Sequence, residues 1–459
     1  SSVAIGSSAL LTEDTGRKNV AIGFEALKTQ NADVDNFNVA VGYQSGKGVT
    51  DGIENTIIGA LAGDAVTTAD NNTLIGSLAG TTLIGGGENT AVGRAALFAA
   101  NTGTQNVAIG AQSLSTNTSA SFNVAVGYKA GQLNVTGVEL VAVGYEALMS
   151  STATGQTAVG YKAGKLSTGD DNTFMGAFAG VALTTGSENT AIGVFALDLE
   201  DTGSRNTAVG FNALSTQNID GNAQNTALGW QAGIAVSTGT VNTVIGAQAG
   251  AGLAGGGGNT ILGYAGGTKG TDLAGGDNNV LLGRETGTSG ADGSNQIVIG
   301  KDVAGTGNDQ VHIGYGSNVA ILELDGSDTS WAASSDERLK ENITTSTAGL
   351  SFLKDLRPVT YTWKKKKDVP SNMTTYYEEG SDDPCLGFGK THHGFIAQEV
   401  KTVLDNHAEI KNGQHFWKQD DDGTQRVAPN ALIPMLTKAI QEQNALIEAL
   451  TARVATLEG

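Results

Sequence analysis

The stretch SSDERLKENI, residues 334–343, sets a serine and a lysine five residues apart, Ser335 and Lys340. A serine hydroxyl is a weak nucleophile until a neighbour takes its proton, and a lysine does so only where burial or adjacent positive charge lowers its pKa. Five residues subtend ~140° on a regular helix, so the two groups meet only if the segment turns or if they come from different chains. Taken by itself, the stretch reads as an N-capped helix with Asp336 and Glu337 in its first turn.

Other residues invite chemistry less strongly. His392 and His393 stand together, but no carboxylate or further histidine lies at ligand spacing, so a structural role is expected and no metal is assigned. GGGENTAVG and GGGGNTILG are similar to glycine-rich calcium coils, yet carry Glu and Asn where those need aspartate. Asp170, Asp171, Asp198, Glu200 and Asp201 read as solvated loop charge, not as the facing carboxylate pair that glycan cleavage needs. Phe24, Tyr43, Tyr128, Tyr145, Tyr161, Phe211, Trp230 and Tyr264 could form a sugar-binding stripe or seal an interface between chains, and the second reading is preferred. Lys364 to Lys367 read as a solvated loop face, too few for nucleic-acid binding. The single cysteine, Cys385, excludes an intrachain disulfide and any multi-cysteine metal site.

The elements that position these residues follow from a repeat. A glycine closes a short apolar run in NVAIGFEAL, NTIIGALAG and NTAIGVFAL, and recurs from Gly6 to Gly314 nineteen times, mostly at intervals of 17. Each unit holds a short β-favouring run, the glycine, a second run ending Ala-Leu or Ala-Gly, and a polar loop. Seventeen residues leave no room for a crossover helix, so the units must stack as coils of a parallel β-solenoid, each strand pairing with its copy one coil away. At ~4.8 Å per rung, nineteen coils make a rod roughly 90 Å long.

The residue choices fit. Alanine or serine stands three residues after almost every glycine from Ala9 to Ala249, which implies a narrow interior. Asparagine stands four residues before fourteen of the nineteen glycines, where its amide could bond the next copy along the rod or satisfy its own turn. All five prolines lie beyond residue 357, as an uninterrupted ladder requires. A coil this thin buries little, and apolar residues at alternate strand positions suggest a second face buried against other copies.

Composition agrees with a thin, repetitive architecture: 66 glycines and 5 % aromatic residues in 459. The net charge of −19 is uneven, with 28 acidic and 12 basic residues in 1–330 against 18 and 15 in 331–459. The first part is an acidic surface that repels nucleic acid and anionic lipid, and no run reaches the ~20 apolar residues of a membrane span. The chain opens inside a repeat, on SSVAIG, and is expected to be a piece of something longer.

After Gly314 the period fails. YGSNVAILELDGSDTSWAAS reads as one last strand, a turn and a linker, and the remainder has the composition of a small α+β domain. Its final helix carries Ile433, Leu436, Ile440, Gln443, Ile447, Leu450, Val454 and Leu457 at spacings of three and four, a coiled-coil heptad with one polar layer. Isoleucine or valine alternating with leucine leans toward two strands.

The repeat region, about 1 to 316, resembles the β-roll heads of trimeric autotransporter adhesins, and similar repeats occur in phage tail fibres; that resemblance implies three copies. SSDERLK, LKDLRPVTYTW, HHGFIAQEV and NALIPMLTKAIQEQNALIEAL resemble, in order and spacing, the C-terminal intramolecular chaperone domain of phage tailspikes and tail fibres such as endosialidases. That family's domain trimerises the chain, helps its β-rich stalk fold in register and then cuts itself off. The resemblance implies Ser335 as nucleophile, Lys340 as base, the Ser334–Ser335 bond as the one cleaved, and Asp336, Arg338 and Glu399 as supporting residues.

The expected molecule is mainly β: a trimeric parallel β-solenoid shaft over 1–316, a linker over 317–333, and a chaperone autoprotease domain over 334–459 whose residues 433–459 form a coiled coil. Its expected role is a structural and host-recognition segment of a bacteriophage tail fibre or related injection device. It would be assembled in the host cytoplasm and carried on the virion, with sister copies, a cell-surface glycan or protein receptor and other tail or fibre proteins as partners. No cofactor, nucleic acid or membrane insertion is expected. A bacterial trimeric surface adhesin predicts a membrane-anchoring barrel where the coiled-coil pattern stands, and a glycan depolymerase predicts an acidic pair that the rod lacks.

Overall fold

The computed structural model describes residues 1–14, 17–324, 332, 333, 337, 340–371, 373, 376–386, 390–410, 416–420 and 423–458, with only the backbone at 332, 333 and 429. The chain divides into two compact units, Ser1–Ser334 and Ser335–Gly459.

The first unit is the expected solenoid. Seventeen three-residue strands, β1 (Val3–Ile5) to β17 (Val280–Leu282), are followed by β18 (Ile297–Lys301) and β19 (Gln310–Tyr315). Each pairs in parallel with the strand one coil on, in a register that puts like on like: Val3 on Val20, Thr190 on Thr207, Thr243 on Thr260. After β19 the chain reverses. Strand β20 (Asn318–Glu323) pairs antiparallel with β19, and β21 (Ala332–Ala333) with β20, so part of the segment read as linker closes the sheet edge.

The repeat glycine is required twice over. At Gly144 φ is +139°, and a Cβ there would lie 2.2 Å from the carbonyl oxygen of Gly160 in the next coil. Side chains are rare at that φ, and the contact is backbone on backbone, so the coils can stack only through glycine.

The interior is filled in two complementary ways that the sequence reading did not find. The middle strand residue points inward, as do the residues three and four after the glycine; Ala21, Ala26 and Leu27 are fully buried. Where the position four after the glycine is leucine, the residue three further on is small or polar, as in Leu27 with Gln30 and Leu97 with Ala100. Where it is glycine, that later residue is often large, as in Gly63 with Val66 and Gly180 with Leu183. One large side chain per coil fits this corner, from either of two positions.

The asparagines do both things expected of them. The backbone N–H of most of them donates to the asparagine Oδ1 one coil back, at 2.8 Å for Asn55 to Asn38 and 2.9 Å for Asn206 to Asn189. In most of them Nδ2 donates to a turn carbonyl fourteen residues on, Asn55 to Ala69 at 2.8 Å and Asn189 to Gly203 at 2.9 Å, whereas Asn123 Nδ2 is buried without a partner. The ladder is interrupted where Leu140 and Gln156 replace asparagine. Leu140 still donates its N–H to Asn123 Oδ1, but Gln156 Oε1 is buried without a partner.

The second unit is the small α+β domain. It comprises α1 (Leu350–Asp355), the hairpin of β22 (Val359–Tyr361) with β23 (His392–Gly394), α2 (Ala397–Asn406), the hairpin of β24 (Trp417–Gln419) with β25 (Gln425–Val427), and α3 (Ile433–Glu458). Its core is Phe352, Leu356, Val400, Leu404, Phe416 and Leu432. Among the described residues, no helix is long and apolar enough to cross a membrane.

Candidate functional site: the C-terminal unit

The serine and lysine segment precedes α1. Lys340 is exposed, and its backbone N–H donates to Glu337 O at 3.0 Å. Ser334, Ser335, Asp336 and Arg338 lie outside the described residues. Glu399, in the first turn of α2, gives its carboxylate to Arg357: Arg357 Nε donates to Oε2 at 3.0 Å and Nη2 to Oε1. The guanidinium's hydrogen bonds hold the Glu399 carboxyl below its ordinary range and the Arg357 pKa above its own. Glu399 thus ties the start of α2 to the chain leaving α1, in a pair that stays exposed to solvent screening.

A second polar cluster joins the same helices from the other end. His407 follows the last residue of α2, with Nε2 2.8 Å from Asp355 Oδ2, Nδ1 2.8 Å from Glu409 Oε1, and its ring edge-on to Phe352 at 5.4 Å. The hydrogen bond to Asp355 first, then that to Glu409, raises its pKa. No spacing rule could flag this contact, because Asp355 and His407 are 52 residues apart in sequence.

The third positioning contact comes from α3. Glu442 Oε2 accepts the N–H of Leu350 at 2.8 Å, supplying the cap that α1 lacks from its own sequence. Ala439 is buried, whereas the exposed residues past Glu442 include Leu446, Ile447, Leu450, Val454 and Leu457 at 43–85 %. Sixteen residues, ~24 Å of helix, continue past this last anchor with their apolar seam in solvent.

The remaining candidates are placed as follows. His392 lies on Tyr361 at 5.7 Å and against Trp363, a packing role, and no cluster of three or more potential metal-binding His, Cys, Asp or Glu occurs among the described residues. The lysine run is exposed as read but zipped to the acidic insert, Lys365 and Lys367 to Asp382 and Lys366 to Glu378. These two lysines pull the Asp382 carboxyl down to about 2. Cys385 is half-buried.

In the shaft, the reading of Glu200 as solvated loop charge is corrected. It is fully buried, its carboxylate accepting from Gly203 N–H at 2.7 Å, Gln217 Nε2 at 2.8 Å and Ile219 N–H at 3.2 Å. Leu197 fills the adjoining corner position, which frees this one for a polar plug whose charge is met by fixed donors.

Residues 335–409 match the family described as chaperone of endosialidase. The C-terminal unit carries this chaperone domain. The match contains Lys340, Arg357, Glu399 and His407, so the contacts between α1 and α2 lie within the matched residues, and α3 lies beyond them in the same unit. No curated protein and no solved structure matches the chain.

Proposed function

We infer that the protein is a trimeric shaft segment of a phage tail fibre or related device, whose chaperone domain gathers three copies, sets their coils in register and then detaches by cutting the Ser334–Ser335 bond. One observation carries the reading: both the second compact unit and the family match begin at residue 335, immediately after the proposed scissile bond. The chaperone would be needed because like coils pair almost equally well when slipped by one unit, and parallel pairing over long separations is slow.

Ser335 is the proposed nucleophile and Lys340 the base, with Asp336, Arg338 and Glu399 supporting. Lys340 is exposed in the single chain, so its role as base requires cover that assembly would bring. The free seam of α3 supports assembly, since an apolar helix edge left in water gains by joining its copies. A cell-surface glycan or protein as receptor, other fibre proteins as neighbours, and a place on the virion belong to the same proposal.

Denaturing electrophoresis of the wild type beside Ser335→Ala tests the cut. The wild type should lose its final 125 residues, Ser335 to Gly459, and the variant should keep them. Retention by both, with trimers present in sedimentation, would leave a chaperone without protease activity; loss by both would place the nucleophile elsewhere.

A further inference from the structure

Each coil presents two residues outward beside its glycine, the last strand residue before it and the residue after it. The first is isoleucine, valine, leucine or methionine in all nineteen coils, and none of these is buried; Ile5, Met175, Leu228 and Leu262 are 44–57 % exposed. Nineteen rungs at ~4.8 Å make a strip roughly 90 Å long, and a width of about 10 Å gives on the order of 900 Å² of apolar surface. That matches the ~800 Å² per partner of a stable interface and exceeds the few hundred typical of a monomer's largest apolar patch. A partner can stay matched along it only with the same rise per rung, which another copy of this chain has.

The residue after the glycine adds information. Aromatic side chains occur there in uneven blocks: Phe24 and Tyr43, then four coils without, then Tyr128, Tyr145 and Tyr161, then two without, then Phe211 and Trp230, then Tyr264 and Tyr315 singly. The rings stack on one another within the chain. Tyr128 and Tyr145 are 5.2 Å apart at 25°, Tyr145 and Tyr161 5.2 Å at 15°, and Phe24 and Tyr43 5.5 Å at 11°. A sugar ring needs an open aromatic face. In these stacked pairs the faces cover each other, which suits a packed seam and not a glycan platform.

We propose that the strip formed by the residues flanking each repeat glycine faces sister copies of this chain, and that the uneven placing of its aromatic residues sets the register between them. This rests on the assembly reading above and specifies the face and the code. In register, wide rungs meet wide rungs and narrow meet narrow. A slip of one coil sets an aromatic against a non-aromatic residue at nine of the eighteen overlapping rungs, leaving voids and overlaps along the strip.

Cysteine pairing tests both parts, in full-length Ser335→Ala chains with Cys385→Ser. Ala177→Cys, in a narrow rung, should form disulfide-linked dimers within trimers. Co-expression with Val194→Cys chains should yield at least about tenfold less of the mixed product than of the two like pairs, because a disulfide tolerates little offset. The other non-aromatic rungs are then filled with Ser7→Tyr, Ala60→Tyr, Ser77→Tyr, Arg94→Tyr, Ala111→Tyr, Ala247→Tyr, Arg284→Tyr and Lys301→Tyr, which cuts the mismatches of a one-coil slip from nine to two while keeping every natural ring. Mixed products should rise toward parity. Trimers in sedimentation without like-pair disulfides would overturn the face and leave assembly standing. Like pairs that persist unchanged in the filled chain would overturn the code. A monomeric full-length chain would overturn the assembly reading itself.

Discussion

Phe174 offers the sharpest test of how the shaft interior is filled. It occupies the middle of β11 (Thr173–Met175), where most coils have alanine, and is fully buried. It fits because two glycines make room: a Cβ on Gly164 would lie 2.4 Å from the ring, and one on Gly180 2.2 Å from it on the other side. Phe174→Ala alone should cost ~3–5 kcal/mol through the cavity it leaves. Gly180→Ala alone incurs about 1–2 kcal/mol for a side chain at φ +56° and about 1–3 kcal/mol for overlap with a ring that cannot retreat. In the double variant the overlap disappears and the new methyl group fills part of the void. The pair should therefore destabilise less than the sum of the singles by roughly 2–3 kcal/mol. Amide hydrogen exchange in peptides covering 157–192 reads the local opening energy of these coils, which a whole-chain melt would blur. Additivity within about 0.5 kcal/mol would refute the account of one shared interior space.

Other predictions follow from single contacts. Gly144→Ala, forcing a Cβ against the next coil's backbone, should cost on the order of 3 kcal/mol or more and open the ninth and tenth coils to limited proteolysis. Asn189→Ala removes the acceptor of the Asn206 N–H and the donor to Gly203 O; exposing such buried groups should cost about 1–3 kcal/mol in local exchange, and an unchanged rate would mean water replaces the amide. The two buried histidines should titrate in opposite senses. His407, its pKa raised by Asp355 and Glu409, stabilises the chaperone domain fully below the unfolded value near 6.5, and that stability is lost as pH rises through the folded pKa. His312, in β19, is held neutral by desolvation, with Glu323 opposing; Nε2 accepts the Thr306 N–H and Nδ1 is unpartnered. The end of the shaft should weaken as pH falls below about 6.5 toward the lowered folded value. Exchange measured across pH 5–9, against His407→Gln and His312→Leu, should flatten one dependence each.

Much of the shaft was legible because its information is periodic. A glycine every seventeen residues dictates stacked coils, and the small residue three later dictates a narrow interior, whatever the loops contain. The exchange of one large side chain between two positions escaped notice because each position varies freely when viewed alone. Glu200 was misjudged for the same reason: a carboxylate in a polar loop reads as solvated, and its burial depends on Leu197 filling the neighbouring corner. In the chaperone domain the helices and the heptad could be read, but His407 with Asp355 and Glu442 with Leu350 are joined only by tertiary packing. The serine and lysine pair was visible as residue types, and its meaning came from three further motifs, not from the spacing.

The gap in the asparagine ladder at Leu140 and Gln156 falls in the coils of the contacting rings Tyr128 to Phe178, stacked as far as Tyr161 and edge-on at Phe178, which the ion pair of Lys165 with Glu146 reinforces. Above and below this point side-chain amides supplement the backbone ladder that joins the coils; here the backbone ladder continues with ring contacts on the outside in their place. Stretched between beads, the shaft should yield first at this joint, and stripping the rings with Tyr145→Ala should lower the rupture force there.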